Sequence, residues 1–167
     1  APGFYDTSDD HERLLERPKD VQDNATPSGN AMAATALLKL GLYTGERRYW
    51  DAAEAAIGSV YEAMARYPNA FAQWLTAASF IAAAPREVAV IGRLAAADTR
   101  ALLDAVFSGY RPDLVVAAGP DSSHGTIIPL LEDRPQRDGR ATAYVCRRFA
   151  CQQPVTDPTD LLRQLEA

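Results

Sequence analysis

The first thirty residues hold the densest cluster of reactive side chains: Asp6, Asp9, Asp10, His11, Arg17, Asp23, Asn24, Ser28 and Asn30. General acid–base chemistry needs a carboxylate or an imidazole held close to its task, and this segment supplies several. Asp and Asn also make turns, because their side chains bond nearby backbone, so turn-making competes with catalysis here. The run Thr26-Pro27-Ser28-Gly29-Asn30 is more specific. It places Thr26 as an N-cap and Pro27 at the first helical position, beside the acidic loop. The free amides of that first turn suit a carboxylate, phosphate or sugar oxygen, and Gly29 permits close approach. The plain alternative is an ordinary capped helix start.

Three further groups carry possible chemistry. Cys146 and Cys151 are separated by four residues, unlike the two-residue spacing of thioredoxin-type redox pairs or zinc knuckles. Structural thiols are the expected reading, with a reversible disulfide as the alternative. The only histidines, His11 and His124, lie far apart in sequence, so no metal site is expected. The segment Gly119-Pro120-Asp121-Ser122-Ser123-His124-Gly125 follows a predicted strand, where α/β proteins commonly bind ligands. It lacks a dinucleotide or phosphate-loop fingerprint, and adjacent Ser123 and His124 do not make a nucleophile with its base, so a plain loop is expected. Phe4, Tyr5, Tyr43, Tyr49 and Trp50 could stack on sugar rings, although helix-face aromatics more often fill a core.

The elements that must position these residues follow from spacing. Apolar residues recurring every three or four positions predict helices over about Pro27 to Tyr43, Glu46 to Arg66 and Asn69 to Ala83. The second should bury Tyr49, Ala53, Ile57, Val60 and Met64, and the third Phe71, Trp74, Leu75, Ala78 and Ile81. Pro68 and Pro85 stop them, and short connections make them antiparallel neighbours. Three helices are too few to close a ring. Their apolar faces call for upstream helices, the α/β segment or a second copy, so self-association is one expectation.

After Pro85 the pattern changes. Glu87 to Gly92 reads as a strand, a helix capped by Asp98 follows, and Asp113 to Ala118 is a nearly all-apolar second strand. The pair predicts a parallel βαβ unit. Thr142 to Cys146 is a third strand, and a last helix runs from about Pro158 to Glu166 with Asp157 as N-cap. The expected fold is thus α + α/β: antiparallel helical hairpins over 1–85, then a small parallel three-stranded α/β segment over 86–167.

Composition narrows the function classes. With 47% hydrophobic and 23% charged residues the chain is ordinary for a globular protein, and its 167 residues can bury about 70% of the unfolded surface. The net charge of −5, with basic residues scattered among acidic ones, makes nucleic acid an unexpected partner. No apolar run reaches membrane-spanning length, no secretory signal is visible, and two cysteines suit a reducing cytoplasm. An Ala-Pro-Gly start without Met suggests an upstream region removed from this chain.

Phe4-Tyr5-Asp6-Thr7, Arg17-Pro18-Lys19-Asp20 and Asp23 to Asn30 resemble the late part of the thioredoxin-domain-containing YyaL, or spermatogenesis-associated, family. So do Tyr144-Val145-Cys146, Phe149-Ala150-Cys151 and Pro154 to Pro158 near the end. The resemblance implies a parent with an N-terminal thioredoxin-like domain and an α/α toroid similar to six-hairpin glycosidases and N-acylglucosamine 2-epimerases. This chain would hold the last helical hairpins and a C-terminal α/β segment. Its partners would be the upstream toroid and the thioredoxin-like domain, with a small carbohydrate as ligand and no cofactor. The resemblance implies Asp6, His11 and Asp23 as catalytic candidates, and Arg17, Asn24, Ser28, Gly29 and Asn30 as substrate-binding ones. Cys146 and Cys151 are the redox candidates. The related epimerases use several histidines on the sugar, an arrangement that His11 alone does not reproduce.

Overall fold

The computed structural model describes residues 2–10, 12, 15–121, 128–147 and 150–166. Its first helix, α1, covers Gly29–Thr44. The Ser28 hydroxyl accepts the Ala31 N–H at 3.2 Å, and the Ser28 carbonyl accepts that of Met32. Ser28 is therefore the cap. The expected Thr26 cap with Pro27 inside the helix is corrected by two positions, because Ser28 already gives its own N–H to the Asp23 carboxylate.

The expected second helix is two helices, α2 over Arg47–Ser59 and α3 over Tyr61–Arg66. Between them Val60 leaves helical geometry, with φ −113° and ψ 6°. Gly58 weakens the helix there, and the Ser59 hydroxyl donates back to the Ala56 carbonyl. The predicted inward residues Ala53, Ile57, Val60 and Met64 are all buried. A 3-10 turn over Pro68–Ala70 leads to α4, Ala72–Ala82, which starts later than expected. Its buried stripe is Phe71, Trp74, Ala77 and Phe80, whereas Leu75, expected inward, is exposed. No helix among the described residues is long and apolar enough to cross a membrane.

Contacts divide the chain into two compact units, residues 1–41 with 46–82, and residues 42–45 with 83–167. The second contains β1 (Arg86–Ile91), α5 (Ala97–Phe107), β2 (Leu114–Gly119), a 3-10 turn (Pro129–Leu131), β3 (Thr142–Arg147), β4 (Ala150–Cys151) and α6 (Pro158–Glu166). The sheet order is β2-β1-β3-β4. Strands β1 and β2 are parallel through α5, as expected of the βαβ unit. The parallel three-stranded arrangement is corrected: β3 pairs antiparallel with β1, and β4 antiparallel with β3. The described part of the connection from β2 to β3 contains no α-helix that would carry the chain back across the sheet. It re-enters beside β1 from the end where β1 finishes, so β3 runs the opposite way.

One face of the sheet carries Val88, Val90, Ala143 and Val145, and these pack with Leu102, Val106, Leu161 and Leu165 of α5 and α6. Asp157 caps α6, accepting the Thr159 N–H at 2.8 Å. Asp98 does not cap α5, which begins after Ala96. Its carboxylate instead accepts the N–H groups of Ala141 and Thr99, each at 2.9 Å. The Ala141 bond is the larger cause that holds this carboxyl below its usual range. At the start of β1, Arg86 donates to Asp113 at 3.0 and 3.2 Å and to the Leu165 carbonyl. Both side chains are mostly covered, at 11% and 18% exposure.

Removing one member of such a pair strands the other. Asp113→Ala should lower the unfolding free energy by about 3 kcal/mol, read from urea denaturation followed by circular dichroism. A change below about 0.5 kcal/mol would mean that water already satisfies Arg86.

Candidate functional site

The acidic loop is organised around a few side chains that satisfy backbone groups. Asp23 accepts the Ser28 N–H through Oδ1 and the Gln73 N–H through Oδ2, both at 2.8 Å. Its own N–H donates to the Ala70 carbonyl at 2.8 Å. One carboxylate thus joins the cap of α1 to the first turn of α4, where helices carry unpaired N–H groups and favour negative charge. Asn30, 2% exposed, donates from Nδ2 to the carbonyls of Phe4 (2.9 Å) and Asp20 (3.0 Å). Its Oδ1 accepts the Phe4 N–H at 2.6 Å. Trp74 Nε1 donates to the Val21 carbonyl at 2.8 Å.

The other candidates hold the two arms of the loop together. Asp6 gives its N–H to the Pro18 carbonyl and accepts the Asp20 N–H through Oδ2 at 2.8 Å. Arg17 donates to the Thr7 carbonyl at 2.7 Å, pairs with Asp9 at 2.8 Å, and lies 4.2 Å from the centre of the Tyr5 ring. Lys19 lies 4.4 Å from the same ring, so Tyr5 sits between two cations. Gly3 has φ 98°, and a Cβ there would come within 2.9 Å of Asn30 Oδ1. At Gly29, where close approach was expected, a Cβ would meet nothing within 4 Å. His11 lies outside the described residues.

Asn24 is placed differently. With Asp23, Thr26, Asn69, Gln73 and Thr76 it lines a cleft of about 240 Å³. Sequence spacing singled out neither Asn69 nor Gln73 and Thr76, because the start of α4 meets the loop through long-range bonds, from Gln73 to Asp23 and from Trp74 to Val21. The pattern thus unites Asp23, Asn24 and Ser28 at one place, and puts Asp6 and Arg17 on the loop's own framework.

The second unit brings together a different set. Cys146 and Cys151, expected as thiols, form a disulfide between directly opposed positions of β3 and β4. The register that opposes them also sets Arg147 against Ala150. Glu87 of β1 stands opposite Cys146 on the other side and is 4% exposed. Arg134 Nη2 lies 3.7 Å from the Cys146 sulfur and 3.9 Å from that of Cys151. Burial pushes the Glu87 carboxyl up, and the Arg134 charge offsets part of that rise. Residues 122–127, which include Ser123 and His124, lie outside the described set. Among the described residues no three His, Cys, Asp or Glu side chains cluster as a metal site.

Comparison with known proteins gives relatives for most of the chain. It is 36% identical over 152 residues to spermatogenesis-associated protein 20 of Homo sapiens. The same protein of Rattus norvegicus is 35% identical and that of Mus musculus 34%, over the same length. Each alignment covers 89% of this chain and 19% of the relative, so the chain spans about a fifth of the length of these curated proteins. No family model and no solved structure matches it.

Two outcomes follow from this geometry. Asp23→Ala should cost about 3 kcal/mol, since two backbone N–H groups lose a charged acceptor. Hydrogen exchange should show protection falling at Ser28 and Gln73 together; loss at one alone would break the bridge reading. Glu87 supplies a pH signature. Its folded carboxyl holds a proton above the ordinary value of 4.5, so the stability this group contributes is complete below that value and is lost as pH rises through the folded pKa. Glu87→Gln should therefore stabilise the chain at pH 7 relative to the parent while changing little at pH 4, as read from urea midpoints.

Proposed function

The chain belongs to the spermatogenesis-associated family, and on that premise we propose that it is the C-terminal part of a longer protein with a carbohydrate-binding helical toroid, inactive by itself. In this reading residues 1–85 supply the closing hairpins of an α/α toroid similar to those of six-hairpin glycosidases and N-acylglucosamine 2-epimerases. Residues 86–167 form a separate α/β module. The upstream helices and a thioredoxin-like domain are its partners within the parent.

The observation that carries the proposal is the cleft beside the Asp23 bridge. Its lining sets Asn24, Thr26, Asn69, Gln73 and Thr76 beside Ala25, Pro27 and Ala72; Gln73 Nε2 donates to the Thr35 hydroxyl and the Thr76 hydroxyl to the Ala72 carbonyl, so Asn24, Thr26 and Asn69 are the principal polar contacts it offers. Such groups pair with sugar hydroxyls, each of which both donates and accepts. Asn24 is the ligand-contacting member of the sequence candidates. Asp23 is a positioning residue, since both of its carboxylate oxygens already accept backbone N–H groups. The exposed apolar side chains Met32, Leu40, Tyr61, Tyr67 and Leu75 on or beside the helices are the surface that upstream helices would cover.

The test uses both the full-length protein and this chain, screened calorimetrically and for turnover against neutral and N-acylated monosaccharides. The full-length protein should bind one of them, and Asn24→Ala with Gln73→Ala should weaken that binding roughly tenfold or more. The isolated chain should turn none over. Robust turnover by this chain, or binding indifferent to both substitutions, would overturn the proposal.

A further inference from the structure

We propose that Cys146 and Cys151 form a reversible thiol–disulfide site, with Arg134 as the cation that receives the thiolate, and that its co-substrate is a dithiol. The site is separate from the carbohydrate reading and rests on how three side chains meet in the second unit.

The two sulfurs have unequal access. Cys146 is 1% exposed on β3, whereas Cys151 is exposed on the two-residue edge strand β4. Thiol–disulfide exchange requires an attacking thiolate to reach one sulfur while the other leaves. Here the reachable sulfur is that of Cys151, and the leaving one is that of Cys146. The bond is also a poor staple. It links residues only five apart in sequence, and loop-closure gains shrink with loop length. The hairpin is already held by its strand pairing and by the Gln152 N–H to the Val145 carbonyl.

The surroundings of the sulfurs suit the reduced form better than the oxidised one. A neutral disulfide is a weak acceptor, yet the Arg134 guanidinium points Nη2 at both sulfurs. Its Nη1 is anchored by the carbonyls of Leu130 and Glu132. The Nε is buried with no hydrogen-bond partner among the described residues, an unusual cost beside a neutral bond. A thiolate would supply the missing negative charge, and a neighbouring cation lowers a thiol's pKa. Glu87 is buried opposite Cys146, and that burial raises its pKa.

The exchange balances as follows. A thiolate of the dithiol attacks Cys151 Sγ, the Cys146–Cys151 bond breaks, and its electron pair goes to Cys146 Sγ beside Arg134. The Cys146 thiolate stays paired with the Arg134 guanidinium. The dithiol's second thiol, deprotonated, then attacks its partner sulfur and releases Cys151, which takes a proton from water. Two electrons have moved to the protein; of the two protons the dithiol gives up, one ends on Cys151 and one in solvent, leaving a Cys146 thiolate, a Cys151 thiol and one disulfide on the co-substrate.

The chain, folded and without denaturant, is equilibrated in graded mixtures of reduced and oxidised dithiothreitol, then alkylated and weighed by mass spectrometry. The pair should titrate as one two-electron step with circular dichroism unchanged. With oxidised glutathione in place of dithiothreitol, Cys146→Ser should accumulate a mixed disulfide at Cys151, and Cys151→Ser far less at Cys146. Arg134→Gln should shift the exchange constant roughly tenfold toward the disulfide, with Arg134→Lys restoring part of it. A bond that opens only in urea, cysteines that stay free in oxidised buffer, or an exchange constant untouched by Arg134→Gln would each overturn the proposal.

Discussion

Two helix starts in the first unit depend on the same carboxylate. A helix leaves its first N–H groups without intrahelical partners, and each left dry costs about 1–3 kcal/mol. Asp23 answers one such group at α4 and the amide of the capping residue at α1. Because those two amides belong to elements more than forty residues apart in sequence, the bond is tertiary as well as local. The register of α1, the approach of α4 and the shape of the adjoining cleft all follow from it. Asn30 and Trp74 extend the same device along the loop, each giving a buried polar group to backbone that has no secondary structure of its own.

This economy explains why residues of catalytic type need not be catalytic here. Asp6, Arg17, Asp23, Ser28 and Asn30 all bond the loop or the helix starts. An irregular segment can pack against helices only when its amides and carbonyls are answered, and Asp, Asn, Ser and Arg are the side chains that answer them. Asn24 differs in lining open space, which is why the ligand reading attaches to it.

The second unit inverts the pattern. Its central strand is buried along its whole length, and four of its six side chains are apolar. Arg86 is answered by Asp113 and the Leu165 carbonyl. Glu87 is instead held beside a disulfide and a guanidinium, in surroundings that raise its pKa. A buried carboxyl on a strand covered along its whole length is a conflict between local chemistry and global burial, and such conflicts concentrate where chemistry is done.

Local pattern was enough for the helix seams of α2 and α3, the βαβ unit, the Asp157 cap and the family, because periodicity, capping and motifs are written in neighbouring residues. It was not enough wherever the outcome depended on partners distant in the chain. The start of α1 moved because Asp23 claimed an amide, and the buried stripe of α4 turned because its first turn was tied to the loop. The third strand reversed because strand direction depends on where a connection returns the chain, which apolar content does not encode. Cys146 and Cys151 were visible as a pair, but only the β3–β4 register opposed them, and only the fold brought Arg134 to both sulfurs and Glu87 opposite Cys146. What residues will do is set by their chemistry; which of them meet is set by packing over long sequence distances, and that was decided by the tertiary structure.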